Sequence, residues 1–291
     1  MTSHSRVAAV TGASGYLGSR ICQALESRGW RVIRLTGSQA PVPGQVVHYE
    51  LAEPVTAQAG EALRSADALI HTAYNLSLTG ADDIWQVNVE GTRRLLEAAR
   101  KAGTAKVVVL SSMSAFAGTS QLYGRAKLGI EAITVEFGGC AVRPGLVYGK
   151  GAGGMAGSLR KLTALPVVPV IAGGAGIYTV GEEDLMEAIV ALASVEDLEA
   201  GTISLAHPDK VTLVDMMNVF AAQDGRRCRF IPVPWKLVYW SLRAGERMGL
   251  HLPFRADSVL GLVYTAPHLV GKERLARIGV ALRAFAEDPA S

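Results

Sequence analysis

The sequence predicts an α/β fold, a doubly wound parallel sheet carrying a small C-terminal lobe. Three observations lead there. Short β-branched runs alternate with amphipathic helical stretches through the first half of the chain, and a glycine-rich turn joins the first run to the first helix. Beyond Gly149 that alternation gives way to a stretch dense in glycine and proline. Strands separated by helices pair in parallel through right-handed crossovers, because a parallel partner needs a long return connection.

In order, strands are expected at 7–11, 31–35, 46–51, 68–71, 106–111 and 140–143, with helices at 15–28, 57–65, 82–102 and 121–136. Past 149 the pattern predicts helices at 183–194, 212–222, 235–248, 256–263 and 271–278, and one strand at 202–205. These are too scattered for an independent domain and fit a lobe over the sheet's open edge. The division expected is 1–150 for the core and 151–291 for the lobe, with elements returning to the core. Residues 163–180 carry no charge, but Pro166, Pro169, Gly173, Gly174 and Gly176 break the helix that lipid demands, so they are read as loop and short strand.

Composition bounds the function. The 291 residues are 49% hydrophobic and 19% charged, with a net charge of +3 and no Lys/Arg block, so nucleic acid and membrane are not expected partners. Cys22, Cys140 and Cys228 are odd in number and far apart, with no metal spacing; they read as small buried hydrophobes in a reducing compartment. The N-terminus lacks a secretory apolar run, and a cytoplasmic protein is expected.

Thr11-Gly12-Ala13-Ser14-Gly15-Tyr16-Leu17-Gly18 follows the first strand and opens a helix. Gly12 allows the sharp turn, Gly15 lets backbone approach a diphosphate, and Gly18 lets helix and strand pack closely. Free N–H groups and the positive helix end at 15–17 suit that anion. A dinucleotide is the implied cofactor and 1–150 its binding core. The second strand ends Arg34-Leu35-Thr36-Gly37-Ser38 without an acid to accept from a ribose 2′-hydroxyl. Arg34, Thr36 and Ser38 suit a 2′-phosphate, which favours NADP(H) over NAD(H); the competing reading makes Arg34 a solvated strand residue.

Downstream, an apolar strand ends at Ser111-Ser112, and Tyr123 and Lys127 stand four apart on one helical face. Tyrosine titrates near 10; a neighbouring ammonium and a cationic nicotinamide would draw it towards working pH, and a serine hydroxyl would orient a substrate oxygen. Alone, this tyrosine–lysine spacing is common. Joined to the glycine turn it is specific.

The ordered set of motifs resembles the extended short-chain dehydrogenase/reductase family, also called NAD-dependent epimerase/dehydratase. The likeness covers TGASGYLG, Ala68 to Ala73, Val87-Asn88-Val89-Glu90-Gly91-Thr92, SSMSAF, YGRAK and Arg143 to Gly149. It implies a Rossmann fold, a catalytic triad of Ser112, Tyr123 and Lys127, and cofactor contacts at Gly12, Gly15 and Gly18 with the backbones of Tyr16, Leu17, Ala73 and Val147. Ser14, Leu51, Asn88, Ser111 and Pro144 join this set, with Asn88 alternatively positioning its helix and His71 structural. Glu50 stands where the family usually has aspartate on the adenine amino group. Ser111, Ser112 and Ser114 compete as the catalytic serine, and Ser112 is chosen because it lies just past the strand.

Two departures bear on the substrate. The segment between Ser112 and Tyr123 is short, and Leu146 replaces an asparagine that often serves nucleotide sugars. With Trp235, Tyr239, Trp240 and Tyr264 these suggest a ketone or secondary alcohol with an apolar body, although the aromatics also suit lobe core. A carbonyl reductase or alcohol dehydrogenase is expected; the alternatives are a nucleotide-sugar 4-epimerase, 4-ketoreductase or dehydratase, and a non-catalytic NAD(P)-sensing protein. Helices 82–102 and 121–136 resemble those of the family's dimer seam, so a homodimer is expected.

Overall fold

The computed structural model describes residues 5–37, 43–149, 151, 153–172, 176–250 and 255–285. Its first half runs β1 (Val7–Thr11), α1 (Tyr16–Ser27), β2 (Arg31–Thr36), β3 (Gln45–His48), α2 (Ala57–Arg64), β4 (Ala68–His71), α3 (Ala81–Ile84), a π turn (Trp85–Val89), α4 (Glu90–Ala102), β5 (Lys106–Leu110), α5 (Leu122–Glu136) and β6 (Cys140–Pro144). There follow β7 (Leu146–Tyr148), α6 (Gly154–Leu162), β8 (Val167–Ala172), β9 (Thr179–Gly181), α7 (Glu182–Ser194), β10 (Gly201–Leu205), α8 (Leu213–Gln223), β11 (Arg229–Pro234), α9 (Trp235–Arg247), α10 (Ala256–Val263) and α11 (Lys272–Arg277).

Seven strands pair in the order β10-β6-β5-β4-β1-β2-β3, all in parallel. Apolar residues at successive strand positions demand cover on both faces, and helices supply it. Leu25 of α1 and Ile189 of α7 pack on one face; Leu63, Leu96 and Ile130 of α2, α4 and α5 pack on the other. This is the doubly wound α/β sheet. Chain order reverses between β1 and β4, and the crevice at their C-terminal ends is where such folds bind ligands.

The lobe has its own small core around Tyr148, Met216, Phe220 and Phe285, with the Tyr148 and Phe285 rings edge to face at 4.7 Å. Two parallel pairs, β8 with β11 and β7 with β9, frame it. α7 and β10 return to the main sheet, β10 as its edge strand.

Several elements differ from the sequence reading. The third strand stops at His48, and Leu51 instead offers its carbonyl to Arg94 Nη2 at 2.7 Å. The helix expected over 82–102 is three pieces, with a π turn over Trp85–Val89 between two α-helical parts. Helix α6 and strands β7 and β11 were not foreseen. Glycines at 153, 154 and 157 mask the amphipathic spacing of α6, and Pro169 sits in β8 because a strand with one partner tolerates a missing donor.

Cys22 and Cys140 are buried; Cys228 is half-buried and donates its thiol to the Thr163 carbonyl. Among the described residues no helix is long and apolar enough to cross a membrane.

Candidate active site

The glycine turn is built from contacts that larger side chains would break. Gly12 has φ +64°, and a methyl on Gly18 would stand 2.1 Å from the Gly12 carbonyl oxygen. α1 is thereby pressed against the turn. Its N-cap residue, Gly15, supplies no side-chain cap, so the first N–H groups of the helix face the crevice without one. Those donors, the close backbone and the crevice beside them fit a dinucleotide's diphosphate.

A hydrogen-bond chain fixes the crevice floor. Thr11 Oγ1 accepts from the N–H of Thr72 at 3.2 Å and of Ala73 at 3.3 Å, and lies 2.7 Å from His71 Nδ1. His71 Nε2 is 3.0 Å from Thr92 Oγ1, which donates to the Asn88 carbonyl at 2.6 Å. The pattern assigns a neutral imidazole that accepts at Nδ1 and donates at Nε2. Burial, with the Lys127 ammonium adding to it, drives the His71 pKa down to about 3. His71 is thus a structural strut, as its position suggested.

Asn88 is wholly buried, and its side chain grips Asn75: Oδ1 accepts from the Asn75 N–H at 2.7 Å and Nδ2 donates to the Asn75 carbonyl at 3.4 Å. Its alternative role is the one the geometry supports, holding the loop after β4 from within the π turn.

Tyr123 and Lys127 share the inner face of α5. Tyr123 is half-buried in a cleft of about 400 Å³, and Lys127 is buried behind it. Lys127 Nζ donates to the Leu110 carbonyl at 2.7 Å and lies 4.6 Å from the Tyr74 ring centroid and 5.8 Å from that of Tyr123. The Tyr74 and Tyr123 rings meet edge to face at 5.1 Å.

The electrostatics of the chain alone run opposite to the expected sign. Burial pushes the Tyr123 phenol up to about 12, with the Ser112 hydroxyl pulling it down, and burial lowers Lys127 to about 7 against the attraction of Glu131. The reason is that Lys127 bonds a carbonyl rather than the phenol oxygen, so desolvation outweighs its help to the phenolate.

Ser111 is occupied: its hydroxyl donates to Glu131 Oε1 at 2.5 Å, and Glu131 is clasped by Arg143 through Nε at 2.8 Å and Nη2 at 2.6 Å. Ser112 is the serine beside Tyr123, accepting from the Ser114 N–H at 3.1 Å. Sequence reasoning missed Glu131, Tyr74, Gln121 and Asp257. Gln121 and Asp257 both line the cleft, Gln121 Nε2 is buried with no partner among the described residues, and Asp257 reaches the N-terminus of α5 from the lobe.

Of the other foreseen residues, Tyr16, Leu17, Ser111, Pro144 and Val147 line the same cleft, and Tyr16 donates its hydroxyl to Glu182. Ser14 Oγ bonds Thr36 Oγ1 at 2.8 Å. Glu50 lies at the end of β2, where a methyl on Gly37 would be 2.5 Å from its Oε1. Arg34 is not the solvated strand residue of the competing reading: its side chain is buried and holds both oxygens of Glu26 on α1 at 2.8 Å. Ser38 lies outside the described residues. Trp235, Tyr239, Trp240 and Tyr264 are a correction, since they do not line the cleft. Its apolar wall comes instead from residues such as Leu76, Met113, Leu146, Met155 and Leu262.

Comparison with known proteins gives the family of this chain. Ceramide reductase of Caulobacter vibrioides is 29% identical over 236 residues, 78% of this chain and 74% of that protein. Sterol demethylase protein B of Methylococcus capsulatus is 37% identical over 112 residues, 36% of this chain and 34% of that protein. The solved structure of MoeE5 in complex with UDP-glucuronic acid and NAD superposes with a TM-score of 0.72 at 21% identity, covering 96% of this chain and 95% of that one. The model of the NAD dependent epimerase/dehydratase family matches residues 8–167, from β1 through the glycine turn, Tyr123 and Lys127 into β8. The chain belongs to that family.

Proposed function

We propose that this chain is an NAD(P)-dependent oxidoreductase that reduces a ketone, or oxidises the matching secondary alcohol, on a molecule with an apolar body. The observation that carries this reading is the convergence of Ser112 and Tyr123, backed by Lys127, in a cleft whose other walls are largely apolar.

The dinucleotide supplies the hydride. In reduction, Ser112 donates a hydrogen bond to the substrate oxygen, and Tyr123 gives its phenolic proton to that oxygen as negative charge develops there. Lys127, fixed by the Leu110 carbonyl, stabilises the phenolate left behind and is itself supported by Glu131. Tyr74 excludes water from the back of this group. Gly12, Gly15 and Gly18 with the backbones of Tyr16 and Leu17 would hold the diphosphate, and Ala73, Pro144 and Val147 would contact the rest of the dinucleotide.

The substrate class rests on lining chemistry. Leu146, Met113 and Leu262 give a sugar's hydroxyls few partners, whereas a ceramide or a sterol, named in the two relatives, has an apolar body. The nucleotide-sugar reading keeps the support of MoeE5's ligands, at a similarity that speaks for fold alone. A cofactor sensor would not need Ser112 and Tyr123 facing one cleft.

NADP(H) loses Arg34 as its support, and Glu50 beside Gly37 would repel a 2′-phosphate, which favours NAD(H). A homodimer through α4 and α5 agrees with the exposed Trp85 and Val135 at that surface. The test is consumption of NADH and NADPH with a panel of long-chain and polycyclic ketones, beside a panel of UDP- and dTDP-sugars. Turnover of the ketones, lost in Tyr123→Phe with cofactor binding retained, supports the reading; turnover of the sugars alone overturns it.

A further inference from the structure

Helix α9 turns an unusual face outwards. Leu237, Trp240 and Met248 are 61%, 61% and 69% exposed, and with Ala244 they fall at spacings of three and four, one stripe along the helix and its C-cap. Lys236, Arg243 and Arg247 form a second row directly beside that stripe. The opposite side of α9 faces the protein: the Trp235 ring meets those of Tyr239 and Tyr264 at 6.5 and 5.8 Å, and Gly245 is buried. The helix's acid, Glu246, is occupied, accepting from the Ala256 N–H at 2.8 Å through Oε1 and pairing with Arg243 Nη1 at 3.4 Å through Oε2.

We propose that the outward face of α9 docks on an anionic lipid surface. A tryptophan and long aliphatic side chains flanked by a row of cations match the acyl boundary and the phosphate layer above it, with the helix axis in the plane of the surface. Charge complementarity selects this occupant over a second copy of the chain, which would bring like rows of cations together. The net charge of +3 gave no hint of it, because acids elsewhere in the molecule balance a local row.

Helix α9 packs beside α10, which supplies part of the cleft wall. The end of α9 is tied to the start of α10 by the Glu246–Ala256 bond, and the neighbouring Arg255 donates to the Leu76 carbonyl at 2.6 Å. Leu76 is exposed and lines the cleft, as do Ser258, Gly261 and Leu262 of α10. A substrate held in a lipid leaflet would therefore have a short path to Ser112 and Tyr123. This last step rests on the apolar-substrate reading; the docking itself rests on α9.

The test is flotation of the full chain with vesicles of phosphatidylcholine alone and of phosphatidylcholine with phosphatidylglycerol. Co-flotation with the anionic vesicles is expected, reduced about tenfold or more by Lys236→Glu with Arg247→Glu or by 1 M salt. Leu237→Ser with Trp240→Ser should abolish it while leaving turnover of a small water-soluble ketone unchanged. Brominated lipid should quench emission in wild type and lose most of that quenching in Trp240→Phe. No binding to anionic vesicles, binding indifferent to both double variants, or a dimer that dissociates when Leu237 and Trp240 are replaced overturns the proposal. Binding without any ketone turnover would sink the functional reading and leave this one standing.

Discussion

The carboxylate of Asp257 accepts the backbone N–H of Tyr123 at 3.2 Å, and its other oxygen accepts that of Leu122 at 3.3 Å. The N-cap residue of α5, Gln121, makes no capping bond of its own, so the helix bearing Tyr123 and Lys127 is capped by a residue from the C-terminal lobe. Replacing Asp257 by Ala removes both acceptors and a negative charge from a helix N-terminus, at a cost of about 1–2 kcal/mol. The turnover number should fall by more than KM rises, because the phenol is displaced relative to the reacting atoms. Asp257→Asn, which keeps an acceptor, should recover part of it. Denaturant unfolding beside steady-state kinetics checks both, and a stability loss with unchanged turnover would refute the positioning role.

With Tyr123 pushed up to about 12, the phenol keeps its proton throughout the neutral range. Reduction uses that proton and oxidation requires its loss. Ketone reduction should therefore be fast at pH 7, while the turnover number for alcohol oxidation climbs with pH and reaches no plateau below about pH 9. Rates in both directions from pH 6 to 10 decide it; an oxidation plateau already at pH 7 would show that the phenol is acidified in the working complex.

His71 carries a stability signature. Its pKa is lowered to about 3, so the folded chain stays neutral there while the unfolded chain takes a proton near 6.5. The associated stability is present above that value and is lost as pH falls towards 3, by about 2 kcal/mol between pH 7 and 5. Lys127, lowered to about 7, acts in a higher window, up to its ordinary value. In His71→Gln the difference in unfolding free energy between pH 7 and 5 should shrink by about that amount. An unchanged difference would mean that another group is titrating.

The sheet and the Tyr123–Lys127 face were legible because strand and helix periods write themselves into local sequence. The orientation of Arg34 was not. On an interior parallel strand both faces are covered, so alternation between Ile33, Arg34 and Leu35 does not say which side meets solvent, and the partner Glu26 sits on α1. Asp257 was hidden for the same reason of distance: a cap supplied from another part of the chain leaves no mark near the helix it caps. Asn88 was legible as a residue and not as a contact, since the π turn that aims it at Asn75 has no period to read.

Two alanines separate the glycine that packs from the glycine that does not. In Gly18→Ala the new methyl meets Gly12 backbone at 2.1 Å, and neither backbone segment has room to yield. A loss of about 1–3 kcal/mol and at least about tenfold weaker dinucleotide binding are expected. Gly60→Ala, inside α2 with nothing within 4 Å of the new methyl, should instead stabilise by about 0.5–1 kcal/mol. Thermal unfolding and cofactor titration of the pair provide the check; equal effects would contradict the close-packed turn.

On the proposed reading, cofactor choice turns on Arg34 within β2 and on Glu50 after β3. Arg34 bonds Glu26, whose side chain is 41% exposed and rehydrates when the partner is lost, so Arg34→Met should change stability by less than about 1 kcal/mol, with the NADPH-to-NADH ratio of kcat/KM changing by less than about twofold. Glu50 is the opposite case. It is exposed, and its carboxylate stands beside Gly37, so Glu50→Gln should cost little stability while removing a repulsion against a 2′-phosphate. The NADPH-to-NADH ratio should then rise about tenfold, which corresponds to 1.4 kcal/mol of differential binding. If Arg34→Met shifts the ratio and Glu50→Gln does not, the guanidinium leaves Glu26 to meet the cofactor, and the preference returns to NADP(H).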